Sequence, residues 1–161
     1  MRLGIKIAAT LFGIGLAGAA EAQSSLPDPR ITPGSLNPAV TQENIDQTIC
    51  VRGWTKTVRP PENYTYNLKR RQIRALHYAN QSSHPYEEDH LIPLGLGGNP
   101  SDPSNLWPEP WDPADGWGAH KKDVLEGHLM DLVCAHRLAL ADAQRAIAAN
   151  WEQAYRDYVG E

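Results

Sequence analysis

Glu88-Asp89-His90-Leu91-Ile92-Pro93-Leu94-Gly95-Leu96-Gly97-Gly98 is the stretch on which the reading of this chain turns. Acidic residues run straight into a histidine, an apolar segment stops at a proline, and a glycine-rich turn follows. Residues 86–92 predict a strand ended by Pro93, because proline removes a ladder donor. Gly95, Gly97, Gly98, Pro100 and Pro103 predict a long turn, after which Asn105-Leu106-Trp107 reads as a second short extended piece. Ala119-His120-Lys121-Lys122 then opens a helix. Two short strands and a helix in succession, with further helices around them, predict an α+β chain that is rich in loops.

Upstream, residues 65–79 predict a helix with Leu68, Ile73, Leu76 and Tyr78 as its apolar pattern. Lys69, Arg70, Arg71 and Arg74 make it the basic patch of an otherwise acidic chain. Residues 51–64 contain Gly53, Pro60 and Pro61 and read as irregular. Thr41-Gln42-Glu43-Asn44 resembles a short helix start, and the Pro-rich residues 23–40 read as a flexible or extended arm. Downstream, residues 120–136 carry Val124, Leu125, Leu129, Leu132 and Val133. Residues 140–158 carry Leu140, Ile147, Trp151, Tyr155 and Tyr158. Both sets have the spacing of an apolar helical stripe, so a helical pair closes the chain.

The whole sequence has 161 residues, with 15 Lys and Arg against 19 Asp and Glu for a net charge of −4. That length suits one domain, over 41–161. The composition excludes a coiled coil, a repeat array and a generally basic nucleic-acid coat. The first residues read as a secretory signal over 1–22: Arg2 and Lys6, an apolar run over 7–20, then Ala20-Glu21-Ala22. That run is shorter than the ~20 residues a spanning helix needs, so an uncleaved anchor is the weaker alternative. A periplasmic or secreted protein, with no membrane insertion after cleavage, is expected. Cys50 and Cys134 are the only cysteines, and in an oxidising compartment they read as a disulfide, two buried thiols being the alternative.

The ordered set Asp89-His90, Gly97-Gly98, Asn105-Leu106-Trp107-Pro108 and a helix bearing His120 resembles the HNH, or ββα-metal, nuclease family. The likeness is nearest to small exported bacterial members with an Asp-His-Leu-Ile-Pro-Leu core. The motif covers residues 86–122. The resemblance implies a ββα-metal core, hydrolysis of phosphodiester bonds with low sequence specificity, and one divalent ion (Mg²⁺, Mn²⁺ or Zn²⁺).

Phosphodiester hydrolysis needs a deprotonated water and positive charge on the phosphate. A neutral imidazole is the side chain best suited to the first task near pH 7, and His90 is the candidate base. Asn105 is the candidate to orient it. Asp89 and His120 are the candidate metal ligands, with Asp123 or Glu126 as substitutes for His120. Gly118 stands where relatives of this type carry asparagine. Adjacent residues on a regular strand face opposite ways, so Asp89 and His90 can share a site only if the strand twists or ends there. Lys69, Arg70, Arg71, Arg74, Lys121 and Lys122 are candidate phosphate contacts. The expected substrate is nucleic acid, DNA before RNA. A non-catalytic exported module on a degenerate ββα scaffold is the rival reading.

Overall fold

The computed structural model describes residues 24–160, so the expected export signal lies outside the described residues. The described chain runs through α1 (Trp54–Val58), α2 (Glu62–Ala75), β1 (Tyr86–His90), β2 (Leu106–Pro110), α3 (Ala119–Cys134) and α4 (Leu140–Tyr158). Three 3-10 turns, Gln42–Gln47, Leu94–Leu96 and Pro103–Asn105, join these elements. The architecture is α+β, with one antiparallel strand pair among the described residues.

Local chemistry explains where the helices stop and start. Pro61 holds an extended backbone (φ −57°, ψ 141°) immediately before α2, so the helix begins three residues earlier than its apolar spacing predicts. It also ends earlier, because His77 takes a left-handed backbone with φ 53°. The Tyr78 amide then donates to the Ile73 carbonyl (3.1 Å) and the His77 amide to that of Arg74 (3.3 Å), the paired bonds of a Schellman stop. Helix α3 ends in the same way at His136, with φ 55°. Helix α4 spans the expected residues, but Asn150 is extended inside it (φ −168°, ψ 100°). The Asn150 side chain accepts from the Gln153 amide at 2.9 Å and so caps the second helical piece.

The strands pair from Tyr86↔Pro110 to His90↔Leu106. On one face, Tyr86 packs edge-on against Tyr78 with ring centroids 5.2 Å apart, and Lys69 and Gln72 of α2 donate to the Tyr86 and Leu106 carbonyls (2.7 and 2.8 Å). The other face meets α3. The main core sits beyond it, where Leu125, Leu129 and Val133 of α3 pack with Ile147 and Trp151 of α4 and with Ile45 and Leu96. Cys50 and Cys134 form the disulfide.

Residues 24–40 hold no helix or strand, turn at 29–31 and 38–39, and are joined to the core. Gly34 and Asn37 amides donate to the Ser104 and Gly97 carbonyls (both 2.9 Å), and the Trp151 indole donates to the Ser25 carbonyl at 2.9 Å. Among the described residues, no helix is long and apolar enough to cross a membrane.

Candidate functional site

The turn between the strands is locked by one side chain. Asn105 is fully buried; its Oδ1 accepts from the Ile92 amide (2.9 Å) and its Nδ2 donates to the Ile92 and Asn99 carbonyls (3.0 and 3.1 Å). Gly98 is obligatory at this closure, since a Cβ there would lie 1.7 Å from the Ile92 carbonyl oxygen. The amide expected to orient the His90 ring is thus spent on the loop backbone. Its influence on His90 passes through Pro100, the residue after Asn99: His90 Nε2–H donates to the Pro100 carbonyl at 3.0 Å. A carbonyl can only accept, so this bond assigns the ring proton to Nε2 and leaves Nδ1 with the free lone pair.

His90 lines a cleft of about 300 Å³ with Arg59, Thr65, Tyr66, Lys69, Glu88 and Trp111 among its walls. Burial pushes the imidazole below its ordinary range, so the ring is neutral at pH 7. Glu88, two residues back on the same strand face, is 9 % exposed, and neither carboxyl oxygen has a hydrogen-bond partner. Burial raises it to about 9, against the opposing charge of Lys69. It is a neutral acid at pH 7. The cleft therefore holds a neutral base and a protonated acid beside Arg59 and Lys69, with Glu62 and Glu87 also in its walls.

Asp89 does not face this cleft. Pairing stays regular to His90↔Leu106, so the alternation of the strand sends Asp89 to the α3 face. There its Oδ2 meets the ammonium of Lys122 at 2.6 Å. Lys122 has no exposed surface; it also donates to the His90 carbonyl at 2.8 Å and to Glu126. Expected as a phosphate contact, Lys122 is instead a buried ion-pair centre. Burial opposes both charges, but the attraction outweighs it, lowering Asp89 and raising Lys122 from their ordinary values. Glu109, also without exposed surface, is pushed far up by burial and by Asp89.

The expected fourth member lies elsewhere. His120 is exposed, and its Nδ1 pairs with Asp112 at 2.8 Å; hydrogen bonding to Asp112 raises its pKa. Its ring also stacks on Trp111 at 5.1 Å. An asparagine at position 118 has no space, because a Cβ on Gly118 would lie 2.5 Å from the Trp111 carbonyl oxygen. Asp89, His90 and His120 thus face three different surroundings. Among the described residues, no three His, Cys, Asp or Glu side chains are grouped to hold a metal ion. As arranged, this donor set does not fit a divalent cation.

Of the remaining basic candidates, Lys69 lines the His90 cleft, while Arg70 and Arg74 line a neighbouring cleft that shares Tyr66 with it. Arg71 is exposed on the same helix. Lys121 is drawn away, its ammonium 3.7 Å from the Trp117 ring centre. Sequence reasoning missed Arg59, Glu88 and Glu109. Glu88 had a usable signal, since it lies two positions from His90 and so on the same strand face; Arg59, on a proline-bounded segment, had none. Compared with known proteins, the chain matches no family model, no curated protein and no solved structure.

Proposed function

We propose that this chain is a nucleic-acid phosphodiesterase of HNH type on a ββα core, with His90 as general base. The observation that carries the reading is the bond from His90 Nε2 to the Pro100 carbonyl. It commits one ring nitrogen to the protein and frees the other, Nδ1, on a ring whose burial keeps it unprotonated. Nδ1 takes a proton from the attacking water. Glu88, neutral in the same cleft, returns a proton to the leaving oxygen. Arg59 and Lys69 supply positive charge to the phosphate, and Arg70 and Arg74 extend that charge along the strand beyond it. Trp111, in the cleft wall, offers a ring on which a base stacks. These contacts address backbone and ring faces, which favours loose sequence preference. The Cys50–Cys134 bridge supports work in an oxidising compartment outside the cytosol.

The test is nicking of supercoiled plasmid and cleavage of a single-stranded oligonucleotide by the purified chain. His90→Ala lowers the rate by about 10²–10⁴-fold, the usual contribution of a positioned base, with unchanged circular dichroism; His84→Ala serves as the control. Equal rates for wild type and His90→Ala overturn the assignment. Binding of oligonucleotide without any cleavage favours the non-catalytic module instead.

A further inference from the structure

A second cleft, of about 460 Å³, adjoins the one that holds His90, and Trp111 belongs to the walls of both. Pro85, Tyr86, Pro110 and Pro113 line it together with the Trp111 ring, and Asn80 and Asp112 are among its polar groups. Its volume lies in the ~300–1,000 Å³ range of small-ligand sites. The protein itself positions Trp111. The Trp111 amide donates to the Pro85 carbonyl at 3.0 Å, and the half-buried indole leans on the His120 ring with centroids 5.1 Å apart. Asp112 holds that His120 ring in turn, at 2.8 Å. Proline rings and an indole offer flat C–H and π surfaces, which suit a planar heterocycle. The polar groups point to the same occupant. Asn80 Oδ1 accepts from the Ser82 amide at 2.9 Å, which leaves Nδ2 to donate, and Asp112 Oδ1 is taken by His120, which leaves Oδ2 to accept. A nucleobase edge, with its mixed donors and acceptors, uses both groups; an aliphatic chain uses neither.

We propose that this apolar cleft is a nucleobase subsite, and that it makes single-stranded nucleic acid the substrate class of the His90 cleft. The inference rests on the phosphodiesterase reading above and adds to it which strands are cut. The phosphate stays with Arg59 and Lys69 in the His90 cleft, and the base of an adjoining nucleotide turns past Trp111 into the apolar one. A base within a duplex has both faces stacked and its edge paired, so it enters only by leaving the helix. A single strand meets no such cost. Every base has a π-face, so the subsite selects the state of the strand rather than its sequence.

Fluorescence anisotropy with short labelled oligonucleotides at fixed ionic strength tests it, alongside their cleavage by the purified chain. Three probes carry the same number of phosphates per strand: a single strand, its blunt duplex, and an abasic strand without bases. Wild type binds the single strand about tenfold or more tightly than either of the others, the usual effect of one stacked base. Trp111→Ala loses that advantage and binds the abasic strand as wild type does, while Trp111→Phe, which keeps a ring, retains most of it. Equal wild-type affinity for the single strand and the duplex, or for the single strand and the abasic strand, overturns the proposal. So does a folded Trp111→Ala that binds the single strand as wild type does. If Trp111→Ala does not fold, the abasic comparison, which leaves the protein untouched, decides. Base-dependent binding of the single strand without cleavage supports the subsite and tells against the phosphodiesterase reading; equal cleavage of strand and duplex overturns the subsite and leaves that reading standing.

Discussion

At the scale of single residues, the account rests on which face of a strand each side chain takes. Glu88 and His90 share one face, Asp89 the other, and the two faces do different work. Glu88 gives a sharp check. Its folded-state pKa is about 9 against an ordinary 4.5, so between those values the native chain keeps a proton that the unfolded chain has lost. Stability therefore falls as pH rises through that window, by about 3 kcal/mol between pH 4.5 and 7 at ~1.4 kcal/mol per unit. Glu88→Gln makes the slope shallower without abolishing it, because burial also raises Glu87, Glu109 and Glu126, and it is more stable than wild type at pH 8, as urea midpoints at pH 5 and pH 8 will show. A wild-type midpoint that does not fall with pH contradicts the burial assigned to Glu88. The sequence motif drew attention to Asp89, His90 and Asn105 because their order and spacing are visible in one dimension. It did not show that Asp89 points away from His90, because regular pairing up to His90 is a property of two strands together. Nor did it show Lys122 as a buried charge, since neighbouring Lys121 and Lys122 look alike until the helix face is known.

At the scale of elements, helix existence was readable and helix ends were not. The apolar stripes over 120–136 and 140–158 matched α3 closely and α4 in full, because these faces build the main core. The ends of α2 and α3 are set by His77 and His136 in left-handed backbone, a conformation that glycine adopts freely and histidine does not. A reading that looks for glycine at helix stops overlooks both. His77→Gly is expected to stabilise the chain by about 0.5–1 kcal/mol, the strain relieved exceeding the entropy that glycine adds. A chemical-denaturation midpoint lower than wild type contradicts this. The strand expected over 86–92 ends at His90 because Asn105, rather than a ladder partner, takes the Ile92 amide and carbonyl.

At the scale of the whole molecule, the bridge between Cys50 and Cys134 encloses a sequence separation of 84 residues. It ties the segment before α1, which packs on the main core, to the end of α3. The chain-entropy effect of such a loop is about 4–5 kcal/mol. Cys50→Ser/Cys134→Ser should lose stability of that order in urea unfolding; a loss below ~1 kcal/mol means the packing alone holds the fold. The α+β class and the closing helical pair were legible from periodicity. The docking of residues 24–40 was not, because many of its bonds are made by backbone groups to distant parts of the chain, which leave no pattern in side-chain type.

The central claim is that a neutral imidazole at position 90 takes a proton from water beside a phosphate. The rate of phosphodiester cleavage as a function of pH, for wild type and His90→Ala side by side, tests it most directly. The account predicts a wild-type rate that rises with pH, levels off below about 6.5, the ordinary histidine value, because burial lowers that of His90, and falls again above about 9, where Glu88 loses its proton. In His90→Ala the rising limb disappears and the rate drops by orders of magnitude. A wild-type chain without cleavage at any pH, or two variants with the same profile, contradicts it.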